Sequence, residues 1–187
     1  MKRAAAGTVR IIGGRWRGRR LLVPEAASLR PTSDRVRETL FNWLTPFIEG
    51  AACVDLFAGT GALGFEAASR GAARVVMIEK NAPLVRSLHR TVEKLGVENI
   101  HTVHADALEW LAGAASPYDI VFLDPPFQEE LLPACCSRLV SQQWLAGNAL
   151  VYVESRKDAP HSGWLSDWRI WRQGSAGAVS YYLLQTR

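Results

Sequence analysis

Ala52-Cys53-Val54-Asp55-Leu56-Phe57-Ala58-Gly59-Thr60-Gly61-Ala62-Leu63-Gly64 is the stretch on which the fold turns. An apolar run of strand length enters three glycines spaced G-x-G-x-x-G, and a helical pattern follows until Gly71. Glycine permits the tight turn and bares the backbone to a ligand, so these residues predict strand, turn and helix in that order. Outward from this unit the alternation continues, with strands expected over Val75 to Glu79, Ile100 to His104, Tyr118 to Leu123 and Ala149 to Glu154. Asn81 can cap a helix bearing Leu84, Val85, Leu88, Val92 and Leu95 at helical spacing and closed by Gly96. A further helix is expected around Glu129 to Val140. Two last strands, around Trp168 to Arg172 and Val179 to Leu184, have no helix between them and must pair antiparallel. The expected fold is α/β, a doubly wound sheet finished by an antiparallel C-terminal hairpin.

Upstream of Ala51 the pattern differs. Thr8 to Ile12 and Arg19 to Val23 read as short strands joined by Gly13-Gly14-Arg15-Trp16-Arg17-Gly18, with Pro24 ending the second. Arg30-Pro31-Thr32 reads as a turn. Ser33 or Asp34 then caps a helix with Val36, Leu40, Trp43, Leu44 and Phe47 on its buried side, which leaves Arg35, Arg37 and Asn42 off that stripe. Residues 1–50 are expected to form a basic N-terminal extension, strand-loop-strand plus helix, and residues 51–187 the catalytic domain.

Charge sharpens that division. The net charge of +4 is distributed unevenly: residues 1–37 hold ten Lys and Arg against two acids, whereas the other 150 hold twelve bases and sixteen acids. A basic arm on a slightly acidic body fits a polyanionic partner. A 48% apolar fraction over 187 residues suits one globular unit. No apolar run approaches the roughly 18 residues that span a bilayer, and Met1-Lys2-Arg3-Ala4 opens no signal-peptide stretch. Cys53, Cys135 and Cys136 form neither a C-x-x-C nor a Cys/His ligand pattern, so a reduced, cytoplasmic protein without metal is expected.

The glycine loop alone fits any adenosine-containing cofactor, and two acids narrow it. Glu79 closes the second strand 15 residues past Gly64, where a carboxylate can accept both ribose hydroxyls. Asp55 lies four residues before Gly59, beside the place of a dinucleotide's pyrophosphate. A carboxylate there repels phosphate but suits the cationic amino-acid portion of S-adenosylmethionine. Asp106, after the third strand, can accept from the adenine amino group while capping a helix. The cofactor-binding set is thus Asp55, Phe57, Gly59, Thr60, Gly61, Gly64, Glu79, Lys80, Asp106 and Ala107.

Asp124-Pro125-Pro126-Phe127 follows the fourth strand and falls at the same sheet edge. The lone pair of an aryl amine is delocalised, so methylating it requires holding both N–H groups while the nitrogen pyramidalises. Two acceptors about 3 Å away can do so. The Asp124 carboxylate is one and the Pro125 carbonyl the other. Consecutive prolines preset that carbonyl's direction, and Phe127 offers a stacking face worth roughly 1–3 kcal/mol. Asp124, Pro125, Pro126 and Phe127 are the candidate catalytic residues. A base-carbon methyltransferase would want a nucleophilic cysteine at this edge, but Cys53 lies mid-strand and Cys135-Cys136 in a helix.

Together D-L-F-A-G-T-G-A-L-G-F-E-A at 55–67, I-E-K at 78–80 and D-P-P-F at 124–127 resemble the Rossmann-like class I methyltransferases of exocyclic amines. R-I-I-G-G-R-W-R-G-R-R-L at 10–21 and R-P-T-S-D-R-V-R-E-T-L-F-N-W-L at 30–44 closely resemble the ribosomal RNA small subunit methyltransferase D family. The likeness spans roughly residues 8 to 186. It implies N2-methylation of a guanine in 16S rRNA, S-adenosylmethionine as cofactor without metal, and a small-subunit particle or assembly intermediate as partner of a monomer. Arg15, Arg17, Arg30, Arg35 and Arg37 would hold phosphates, with Arg10, Trp16, Arg19 and Thr32 completing the RNA-binding set. The competing readings are an adenine-N6 methyltransferase, an NAD-dependent dehydrogenase and a non-catalytic RNA-binding assembly factor. Trp164, Trp168 and Trp171 are expected to serve packing.

Overall fold

The structure is a computed structural model describing residues 8–22, 33–126, 131–158 and 164–186. Pro24, Arg30, Thr32 and Phe127 lie outside the described residues.

Strands β3 (Ala52–Asp55), β4 (Arg74–Glu79), β5 (Ile100–His104), β6 (Tyr118–Leu123) and β7 (Leu145–Arg156) run parallel to one another. With β8 (Trp168–Ala176) and β9 (Val179–Thr186) they form one seven-stranded sheet in the order β5-β4-β3-β6-β7-β9-β8. This is the expected doubly wound sheet with its antiparallel finish. The later hairpin strand, β9, inserts between β7 and β8, so β8 is an edge strand. β7 begins at Leu145, four residues before the expected start. Its first turn of chain pairs Leu145 with Tyr118 across a register shift, and the exposed Gly147 and Asn148 hide that extension from an apolar reading.

Among the described residues, five α-helices cover the faces. α1 (Asp34–Leu44), α2 (Ala62–Ser69) and Leu88 of α3 (Ala82–Leu95) share one apolar cluster, while α4 (Ala107–Leu111) and α5 (Leu132–Ser141) pack in the other. Their starts follow capping chemistry: Ser33 Oγ accepts from Val36 N, Asn81 Oδ1 from Leu84 N, and Asp106 Oδ1 from Leu108 N. Cys53, Cys135 and Cys136 are buried packing residues. Burial pushes the Cys135 thiol up to about 12 and the other two further, which removes them as nucleophiles.

The N-terminal segment forms a two-stranded hairpin, β1 (Thr8–Arg10) with β2 (Arg20–Leu22), and a 3-10 turn at Gly14–Trp16. Val9, Ile11, Trp16 and Leu21 join the same core cluster as α1 and α2. The buried stripe of α1 differs from the expected one. It runs through Val36, Arg37, Leu40, Phe41 and Leu44, so Arg37 faces inward. Phe47 is 42% exposed and lies edge-on to Trp171, while Trp43 rests against Tyr181. Trp168 is buried, and Trp164 packs partly buried against the core in a 3-10 turn at Trp164–Asp167.

Candidate active site

Strands β3 and β6 are neighbours although β4 and β5 intervene in the chain. Helices leave their carboxyl ends toward opposite faces, and the crevice between them is where such sheets bind ligands. Gly61 caps α2 with φ of 79°, and a Cβ there would stand 2.5 Å from the Phe65 ring. At Gly64 a Cβ would meet Met77 Sδ at 2.6 Å. Only glycine lets α2 sit this close to β4, with its N-terminal amides turned to the crevice.

Asp55 ends β3 inside that crevice and is buried. Its Oδ2 accepts from Gly64 N at 3.2 Å, and the Phe57 amide also donates to the carboxylate. Oδ1 is buried without a hydrogen-bond partner among the described residues. Burial raises the carboxyl to about 7, opposed by the two amides and reinforced by the nearby negative charge of Glu79. An orphaned acceptor in this position calls for a cationic donor. The amino group of S-adenosylmethionine fits, and a dinucleotide pyrophosphate does not.

Glu79 spans the gap between β4 and the loop. Its Oε2 accepts from Gly59 N at 2.8 Å and its Oε1 from Asn81 N at 2.7 Å. Each oxygen keeps a second lone pair for ribose hydroxyls. Asp106 caps α4 with both bonds on Oδ1, from Leu108 N and from Glu109 N, which reserves Oδ2 for an outside donor such as an adenine amino group. Beside these acids, Thr60 and Ala107 are buried, Phe57 is half-buried and Lys80 is exposed, its carbonyl bonded to His104 Nε2.

Across the crevice, β6 delivers Asp124, half-buried, and Pro125, buried, with Pro126 exposed. The Leu56 amide donates to the Phe122 carbonyl at 3.1 Å, tying the end of β3 to that of β6. Two residues absent from the expected site also lie here. Leu123 pairs with Val153, so Glu154 is next in register beside Asp124. Glu154 is buried, and the phenol of buried Tyr152 donates to its Oε1 at 2.8 Å. Their signal was visible: β3, β4, β6 and β7 all carry an acid at the carboxyl edge, Asp55, Glu79, Asp124 and Glu154.

A family profile described as Conserved hypothetical protein 95 matches residues 9–185. Ribosomal RNA small subunit methyltransferase D of Escherichia coli (strain K12) is 46% identical over 182 residues, covering 97% of this chain and 92% of that protein. This chain belongs to the ribosomal RNA small subunit methyltransferase D family. Among solved structures, the Escherichia coli protein yhhF, described as a candidate methyltransferase, superposes with a TM-score of 0.87 at 46% identity, covering 97% and 99% of the two chains. The T. thermophilus 16S rRNA N2 methyltransferase RsmC, solved with AdoMet and guanosine, shares the fold at a TM-score of 0.75 and 22% identity, over 97% of this chain and 50% of that one.

In this methyltransferase D chain the N-terminal hairpin is seated on α2 by a buried carboxylate, Glu66, and by Ser69. Glu66 accepts from Ile12 N at 2.7 Å and from Gly13 N at 2.8 Å, and pairs with Arg70 Nε at 2.8 Å. Ser69 Oγ donates to the Gly13 carbonyl and accepts from Trp16 N. Arg10, Arg15, Arg17, Arg19 and Arg35 are exposed, as RNA contact requires. Two members of the expected set are not. The Arg37 side chain has 0% exposure and binds the Arg10 carbonyl at 2.8 Å and Asp34 at 2.7 Å, with Glu66 at 3.9 Å. It lies on the α1 face turned to α2, so it braces the hairpin and cannot reach a phosphate. Trp16 is likewise buried, its indole filling the core beneath the loop.

Proposed function

We propose that this methyltransferase transfers a methyl group from S-adenosylmethionine to the exocyclic N2 of one guanine in 16S rRNA. It acts in the cytoplasm, as a monomer, on the small subunit or an assembling precursor. One observation carries the chemistry: Asp124 and Pro125 leave β6 directly beside the end of β3, where Asp55 and the glycine loop form the cofactor crevice. The rRNA substrate rests on family membership and on the name of the Escherichia coli relative, and the guanine on what the motif resemblance at 10–21 and 30–44 implies.

When bound, S-adenosylmethionine supplies an electrophilic methyl on a sulfonium and departs as a neutral thioether. Asp55 meets the ammonium of its amino-acid portion, Glu79 the ribose hydroxyls and Asp106 the adenine amino group. Asp124 and the Pro125 carbonyl each accept one N2 hydrogen, which draws the amine out of the base plane and directs its lone pair. As the bond from N2 to the methyl carbon forms, the bond from that carbon to sulfur breaks and sulfur keeps the electron pair. The surplus proton on N2 leaves along the Asp124 bond to solvent. The exposed arginines of the hairpin and α1 hold phosphates, which fix the RNA without reading its sequence.

Methylated rRNA digested to nucleosides tests the reading directly. N2-methylguanosine is expected, and N6-methyladenosine in its place overturns the assignment. Titration with S-adenosylhomocysteine and with NAD supplies a second arm, in which binding of NAD alone overturns the methyltransferase chemistry.

A further inference from the structure

Glu154 has no part in the chemistry above, yet it is a buried carboxylate on the strand next to the reacting loop. Phe122 pairs with Tyr152 and Leu123 with Val153, so Asp124 and Glu154 follow side by side at the carboxyl edge. Tyr152 and Glu154 share one face of β7, since their side chains bond at 2.8 Å. The Tyr152 phenol is held protonated by burial, by the charge of Glu154 and its bond to it, and by the charge of Asp124. Both carboxylates therefore act on one phenol. That phenol has one proton, which it gives to Glu154 Oε1, fixing the carboxylate's orientation.

Two acidic groups beside each other suit a particular base edge. Guanine presents N1–H next to its N2 amino group, a continuous row of donors. Adenine places the lone pair of N1 next to its amino group, and a carboxylate facing that lone pair is repelled. We infer that Glu154, oriented by Tyr152, accepts the N1–H of the target guanine while Asp124 and Pro125 hold its N2 amino group, making Glu154 the residue that selects guanine over bases with an unprotonated N1. The inference rests on the guanine-N2 reading and adds to it a residue that reads the base. Glu154 thus contacts the substrate, and Tyr152 is a positioning residue that acts through it.

The test uses small-subunit particles assembled on 16S rRNA carrying guanine, 2,6-diaminopurine or 2-aminopurine at the methylated position. All three bases keep the 2-amino group. The two analogues share a bare N1, lack O6 and differ from each other at position 6, so the change in preference on altering Glu154 is what separates loss of N1–H from loss of O6. Wild type is expected to prefer guanine over both analogues by about 10- to 100-fold in kcat/KM. Glu154→Gln offers an amide that can accept from N1–H or donate to a bare N1. It is expected to lower kcat/KM on guanine about tenfold and to shrink the preference over both analogues by at least about tenfold. A merely structural role would lower all three substrates by one factor, and that result overturns the inference. So does a wild-type enzyme that uses the analogues as well as guanine, a measurement needing no variant. Absence of N2-methylguanosine from the guanine particles overturns the guanine reading and this inference with it. N2-methylguanosine formed without discrimination against the analogues overturns the role of Glu154 alone.

Discussion

Glu66 on α2 accepts the backbone amide of Gly13, 53 residues earlier in the chain, at 2.8 Å. Its other oxygen takes the Ile12 amide at 2.7 Å, so one carboxylate answers two amides from the N-terminal loop. α2 is the helix that opens at the glycine loop. The hairpin that carries the exposed Arg15 and Arg17 and the element that lines the cofactor crevice are consequently joined at a fully buried charge.

Glu66→Gln removes that charge and turns an amide N–H toward donors. Taking one partner from a buried charge network typically lowers stability by about 3–5 kcal/mol. Urea unfolding is expected to show a loss of that order, and hydrogen exchange a loss of protection at the Ile12 and Gly13 amides. A variant of unchanged stability with both amides equally protected refutes the role given to Glu66.

Asp55 links folding and binding to pH. Its folded carboxyl is raised from 3.8 to about 7, so folding takes up a proton between those values. The stability owed to this group is full below the lower value and declines as pH rises to about 7. An ammonium at Oδ1 favours the ionised form, so ligand binding expels the proton. Affinity for S-adenosylhomocysteine, measured by calorimetry, is expected to rise about tenfold per pH unit below about 7 and to level off above it. Asp55→Asn should bind more weakly with no such slope.

Asp124→Ala deletes one of the two acceptors for the amine. Methyl transfer is expected to fall by about 100-fold or more, as when one preorganised transition-state contact is removed. Binding of RNA and of S-adenosylhomocysteine, followed by filter retention and calorimetry, should change little. Activity close to wild type rules out the assigned contact.

Replacing Arg15 and Arg17 with alanine should weaken RNA binding and reduce the slope of log affinity against log salt by roughly 1.5–2, because two counterions are no longer released. Arg37→Ala supplies the contrast. Buried beneath the hairpin, Arg37 should lower the melting temperature and leave the salt slope of the folded protein unchanged.

Local chemistry was legible where a residue type is required by its own backbone or by its ligand. The G-x-G-x-x-G turn and the caps at Asn81 and Asp106 could each be read from a few neighbouring residues, the first cap was narrowed to Ser33 or Asp34, and the acids proposed to meet the ligands, Asp55, Glu79 and Asp124, stand out in the same way. What stayed hidden depends on partners distant in sequence. Arg37 reads as solvent-facing because nothing nearby announces Glu66, 29 residues on, or the Arg10 carbonyl that receives it. Trp16 reads as an RNA-binding residue among arginines until the hairpin folds its indole into the core. Glu154 went unread because an acid closing an apolar strand gains meaning only once β7 lies next to β6. The insertion of β9 ahead of β8 is equally silent, since antiparallel pairing does not say which strand of a hairpin docks.

That insertion orders the events of synthesis. β9 follows β8 in the chain, yet it is an interior strand, and β8 reaches the sheet only through it. Until residues 179–186 have emerged, β7 is an open border of unpaired amides and carbonyls, the kind of edge that recruits stray strands. A nascent chain of this protein therefore carries a sticky seam that closes only once β9 has been made, and a chaperone bound to it should be retained longest on β7.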